Sequence, residues 1–154
     1  MTTCVWDGEW LCSDTRSMTG SVIDQTPCQK IFRRNGVYCA VSGDLAEATL
    51  AVKKLLNPKN YREDNPFLEE GDWQILLVSD TREEYYCGSL LPSPAGAPFA
   101  IGTGGSYALA AMLAGQTGAQ SVRLACRMDA NSGVDYGVRK YRVRPKKKTA
   151  KRKT

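Results

Sequence analysis

The 154-residue chain contains no histidine. That absence excludes every hydrolytic arrangement in which an imidazole takes the proton from a serine or cysteine nucleophile. It also removes the commonest zinc ligand. The six cysteines (Cys4, Cys12, Cys28, Cys39, Cys87 and Cys126) include no CxxC pair, so a zinc site is not expected. Apolar runs are broken by glycine, proline or polar residues well short of the ~20 residues that span a bilayer. The amino terminus shows neither the basic nor the apolar region of a secretory signal, so a cytoplasmic location and no membrane partner are expected. In a reducing compartment, cysteines in apolar runs read as small buried hydrophobes rather than halves of disulfides.

Positive charge is scarce outside one end. The formal net charge is +5, but seven of the 21 basic residues lie in the last eleven positions, from Arg144 onward. The remainder carries 14 basic residues against 16 acidic ones, a body near −2. Nucleic acid could therefore be engaged only through the tail, and a solvated, disordered tail is the favoured reading. The expected organisation is one domain over 2–143 and a basic tail over 144–154.

What is present is a succession of hairpin signals. Residues 2–6 and 9–13 read as strands joined at Asp7-Gly8, which turns Asp14 back towards Thr2. Residues 15–27 read as an irregular loop. Strands over 29–33 and 37–42 meet at Asn35-Gly36, and Asp44 is placed to cap a helix over 45–56 that Asn57-Pro58 ends. Residues 59–72 read as a charged loop. Strands follow at 73–79 and 84–90, a breaker-rich loop at 92–98, and a short strand at 99–102. Helices over 107–114 and 119–128 and a strand over 134–143 complete the chain. This order argues an α+β fold.

With no imidazole, the base for a nucleophile must come from elsewhere, and an amino-terminal threonine carries its own. Removal of Met1 would leave Thr2 with a hydroxyl and a free α-amine, which titrates near ~7.7–8.0. A lysine nearby would lower the pKa of both groups, and a buried lysine needs a carboxylate; Lys30 and Asp14 are the candidates, although an ordinary ion pair between strands has the same signature. Gly43, between a strand and a helix, could present a backbone N–H to an oxyanion, or simply allow the turn. Gly102-Thr103-Gly104-Gly105 lacks the spacing of a nucleotide-binding loop, which leaves close packing of the helix on the sheet. Asp129 to Gly133 reads as a helix-ending turn whose carboxylate and hydroxyl could hydrogen-bond the threonine amine.

Taken together, Thr2-Thr3, Ser13-Asp14-Thr15-Arg16, Lys30-Ile31, Ser42-Gly43-Asp44-Leu45-Ala46-Glu47, the run from Ala100 to Ala108 and Asp129-Ala130-Asn131-Ser132-Gly133 resemble the proteasome β-subunit family of N-terminal nucleophile hydrolases. The resemblance is closest to the bacterial HslV branch. It implies a four-layer αββα sandwich, with one helical layer reduced because 59–72 is too short and polar for a full second helix. It further implies a homo-oligomeric ring around a proteolytic chamber, an ATP-dependent unfoldase partner, and unfolded protein or peptide substrates. Thr2 would be the nucleophile, tuned by Lys30 and Asp14, with Gly43 as oxyanion donor. Asp129 and Ser132 would support the amine, and Thr103 stands where the family carries a serine. Ser17, Cys28, Phe32, Val41 and Leu45 would line the pocket for the residue before the cut; none is charged, so an apolar preference is expected. No cofactor is needed for the chemistry, but carbonyls of Cys126, Asp129 and Ser132 match a family site for a Na or Mg ion. The absence of a propeptide beyond Met1 fits the HslV branch. Rival readings are an inactive proteasome-like shell and a nucleic-acid-associated assembly acting through the tail.

Overall fold

A computed structural model describes residues 2–57, 59 and 71–144. Its first element is the expected hairpin. Strands β1 (Cys4–Trp6) and β2 (Trp10–Ser13) pair antiparallel with Cys4 opposite Ser13 and Trp6 opposite Leu11. The Asp7 carboxylate ties the turn by accepting the N–H groups of Glu9 and Trp10 at 2.9 and 2.7 Å. After a two-stranded ribbon of β3 (Met18–Thr19) and β4 (Val22–Ile23), strands β5 (Ile31–Arg34) and β6 (Val37–Gly43) form a second hairpin. Its turn places Asn35 and Gly36 at positive φ, as a tight hairpin requires. Helix α1 (Leu45–Leu56) starts where Asp44 accepts the Glu47 N–H at 2.9 Å and ends at Asn57.

Strands β7 (Trp73–Val78), β8 (Glu83–Cys87) and β9 (Ser93–Pro94) extend the β5–β6 hairpin into a five-stranded antiparallel sheet, ordered β5-β6-β7-β8-β9. Strand β10 (Phe99–Ile101) joins β1, and β11 (Arg139–Arg142) joins β2, giving a four-stranded sheet β10-β1-β2-β11. Helices α2 (Gly105–Leu113) and α3 (Gly118–Met128) lie between them in sequence; Thr117 and Gln120 close a capping box at the start of α3.

Both sheets are buried on two faces, and the period of two along each strand divides its residues between different cores. Cys4, Trp6 and Leu11 point inward and meet Ala40, Leu76 and Val78 of the other sheet. Val5 and Cys12 point outward onto Ala108, Val122 and Ala125 of α2 and α3. On the five-stranded sheet, Cys39, Val41, Ile75 and Leu77 face Ala48, Ala51 and Val52 of α1. The result is helix, sheet, sheet, helix. The α1 layer holds one helix among the described residues, against two in the opposite layer.

Several expectations change. Residues 15–27 are not wholly irregular, because two residues at each end of 18–23 pair as β3 and β4. The last strand is shorter than 134–143: tertiary bonds take the backbone at its start, where Thr15 donates its hydroxyl to the Gly137 carbonyl at 2.8 Å and Gly137 bonds back to Val134. Arg144 is not part of a solvated tail. Its guanidinium bonds Glu83 at 2.6 Å and the Ser79 carbonyl at 2.8 Å, and it lies over the Trp6 ring. The loop read over 59–72, apart from residues 59, 71 and 72, and the tail beyond 144 lie outside the described residues. All six cysteines are free thiols. Burial pushes Cys12 and Cys39 up to about 12, which makes them unreactive.

Candidate functional site

The site is built at the open end of the β1–β2 hairpin. Asp14 follows β2 directly and is fully buried; its N–H bonds the Thr3 carbonyl at 3.0 Å, continuing the ladder one rung further. Its Oδ1 accepts both the Thr3 N–H, at 3.0 Å, and the Lys30 ammonium, at 2.8 Å. Its Oδ2 accepts the Gly133 N–H at 3.0 Å. Lys30, at 3% exposure just ahead of β5, is almost as buried as its partner. Burying two opposite charges is tolerable only with close geometry and further hydrogen bonds to the carboxylate, here the two backbone N–H groups.

Asp129 caps the far end of α3, and a chain of hydroxyls reaches it. Thr3 donates to Ser132 at 2.8 Å, Ser132 donates to Asp129 Oδ2 at 2.6 Å, and Thr103 donates to the same oxygen at 2.6 Å. Burial acts to raise the Asp129 carboxyl, but the bonds from Ser132, Thr103 and Asn131 outweigh it and hold it below its ordinary value. Asp129, Ser132 and Thr103 are thus brought together, and the threonine they meet directly is Thr3.

Thr2 itself is 4% exposed and is gripped by the glycine-rich segment after β10. Gly104 donates its N–H to the Thr2 carbonyl at 3.3 Å. A Cβ at Gly102, which has φ +91°, would collide with that same carbonyl oxygen, and one at Gly104 would collide with the Thr3 hydroxyl. The close packing expected of this loop is therefore present, but against the amino-terminal residues.

Thr2, Lys30 and Gly43 line one cavity of about 190 Å³. Ser17, Cys28, Val41 and Leu45 share it. Phe32 does not. Val41 pairs with Lys30 through its N–H at 2.9 Å, whereas Phe32 pairs with Cys39, two residues further from the site. Two strand residues span ~6.6 Å, and at that distance Phe32 lines a separate opening with Val52 and Leu56 of α1. Nor is the lining uncharged, because Arg16 and Lys30 belong to it.

Arg16, Met18 and Ser42 were missed as lining residues, as was Gly133 as a partner of Asp14. Arg16 grips the loop that carries Gly133: its guanidinium forms two bonds to Asp135, at 2.9 and 3.0 Å, and a third to the Ala130 carbonyl at 3.0 Å. These partners lie more than 110 residues apart, so no local pattern announces them. Cys126, Asp129 and Ser132, the cation candidates, sit on the last turns of α3 and the bend after it; the Asp129 carbonyl accepts the Ser132 N–H at 3.2 Å.

The sequence matches no family model and no curated protein. Solved structures do match. HslV from Trypanosoma brucei superposes with a TM-score of 0.70 at 20% identity, over 91% of this chain and 97% of that one. The chain has the HslV fold. BPH from Thiobacillus denitrificans gives a TM-score of 0.64 at 17% identity over 94% and 99% of the two chains. The same protein in complex with epoxomicin matches equally well, at 16% identity. On this HslV-like fold the four-layer αββα sandwich is the one expected, and no described helix is long and apolar enough to cross a membrane.

Proposed function

We propose that the chain is the threonine peptidase subunit of a self-compartmentalising, HslV-like particle, with Thr2 as nucleophile once Met1 is removed. The observation that carries this reading is that Lys30, paired with the fully buried Asp14, lines the same cavity as Thr2. In a chain without histidine, the Thr2 α-amine is the base. The Thr2 hydroxyl attacks the peptide carbonyl, its proton passes to the amine, and the amine returns a proton to the leaving nitrogen; water then releases the acyl group. The Lys30 cation favours the developing alkoxide, and the Gly43 N–H receives the oxyanion. Asp14 orients Lys30, while the Thr103–Asp129–Ser132 chain holds the segment next to Thr2.

Both cations of the lining face carboxylates, Arg16 with Asp135 and Lys30 with Asp14. Met18, Val41 and Leu45 are therefore left to set the preference, which is for apolar residues before the cut. A homo-oligomeric ring and an ATP-dependent unfoldase belong to the same reading, with unfolded polypeptide as substrate. A Na or Mg ion on the carbonyls of Cys126, Asp129 and Ser132 would brace the end of α3 without entering the chemistry.

The test is the intact mass of the protein after incubation with a threonine-directed covalent inhibitor; BPH is known in complex with one compound to try, epoxomicin. One adduct at residue 2 and loss of peptide hydrolysis in Thr2→Ala are expected. Full activity in Thr2→Ala would refute the mechanism, and retention of Met1 would favour an inactive shell.

A further inference from the structure

A second opening, of about 480 Å³, lies beyond Ser42 and Gly43, which line both it and the Thr2 cavity. Its other walls come from Gly71 to Gln74, from Cys87 at the end of β8, and from Gly102-Thr103. The two openings differ in charge. Arg16 and Lys30 line the first, whereas the second carries Asp72 and no cation among the described residues.

The Asp72 backbone is committed: its N–H donates to Glu47 at 3.2 Å and its carbonyl accepts the Asp44 N–H at 2.7 Å. Its exposed carboxylate has no partner among the described residues. Beside it stands a second unmet group. Trp73 is 1% exposed, and its indole N–H has no acceptor among the described residues. A Cβ at 71 would collide with the indole nitrogen, so Gly71 packs directly over it and seals it from the opening. The described wall thus offers one unpaired carboxylate to whatever occupies the opening.

We propose that this opening is the subsite for the substrate segment beyond the scissile bond, and that it selects a lysine or arginine side chain. The inference rests on the threonine-peptidase reading. A carbonyl within reach of the Thr2 hydroxyl, with its oxygen at Gly43, sits on the ridge between the openings, so the flanks of the peptide fall to either side. One flank meets Met18, Val41 and Leu45. The other meets the exposed Asp72 carboxylate, which attracts a cation.

Cys87 supplies a readout independent of catalysis, because its thiol is exposed and lines the opening. The full-length protein is treated with a cationic aminoethyl or an anionic sulfonatoethyl methanethiosulfonate, and the rate at Cys87 is followed by peptide mass mapping. Relative to free cysteine, the cationic reagent is expected to be favoured about tenfold. That preference disappears in Asp72→Asn and inverts in Asp72→Lys. An unchanged ratio in Asp72→Asn overturns the proposal. In a second arm, peptides varied at the residue after the cut are offered to the assembled protein. Basic peptides should lose several-fold in kcat/KM in Asp72→Asn while neutral peptides do not. Thr2-dependent cleavage without a charge preference overturns the subsite and leaves the peptidase reading standing. If no peptide is cut, the peptidase reading falls, and the thiol ratio still decides whether the opening takes a cation.

Discussion

Asp14 and Asp129 both reach Thr3, one directly and one through Ser132, and are held in different ways. Asp14 is fully buried and faces a cation as well as two backbone N–H groups. Asp129 is 8% exposed and, among the described residues, meets only neutral donors: two hydroxyls and the Asn131 N–H. A charge-to-charge contact fixes one position and one orientation, and it strands a charge if broken. A set of hydroxyls can rotate and exchange donors, so it passes a change along more gently. The molecule places the rigid arrangement where Lys30 must be aimed, and the adaptable one where two loops and a helix end converge.

The contrast is sharpest in stability. Asp14→Ala removes the carboxylate that Lys30 faces and should cost about 3–5 kcal/mol by urea denaturation. Adding Lys30→Met should recover part of that loss; a double variant no more stable than Asp14→Ala alone would break the comparison. Asp129→Ala strands no charge and is expected to cost less, about 1–3 kcal/mol. The third effect is acid sensitivity. The Asp129 carboxyl is lower in the folded protein than in the unfolded chain, so the unfolded chain binds the proton first. Its stabilisation is complete above the unfolded value of about 3.9 and is lost as pH falls through the folded value. Asp129→Asn should flatten the stability curve below about pH 4, whereas an unchanged acid limb would remove this carboxyl from the account. The smallest effect is that of Thr103→Val, which deletes one of the two hydroxyl donors. It should raise the Asp129 carboxyl towards its ordinary value, followed by carbon NMR, and cost about 0.5–1.5 kcal/mol.

Much of the framework was readable because its signals are local. Asp7-Gly8 and Asn35-Gly36 each specify a tight turn, and Asp44 with the apolar spacing after it marks α1 to the residue. Asp14 came within reach of the amino terminus by hairpin geometry alone. What escaped notice depends on distant partners. The β3–β4 ribbon is too short for any periodicity to show. Val134 to Val138 has strand-like composition, yet Thr15 and Arg16 draw this segment into a loop instead. Phe32 was placed in the substrate pocket by resemblance, and only the register of β5 against β6 moves it out. Arg16 reads as a surface charge until Asp135 is beside it.

The grip of Gly102 and Gly104 on the first residues has a consequence for variation. Hydrogen is the only substituent either position can carry without evicting Thr2 or Thr3. In a saturation library scored for solubility, most of the neighbouring columns should tolerate several letters, while these two should be nearly blank. The loop that looks most pliant on paper would then be among the least free to drift.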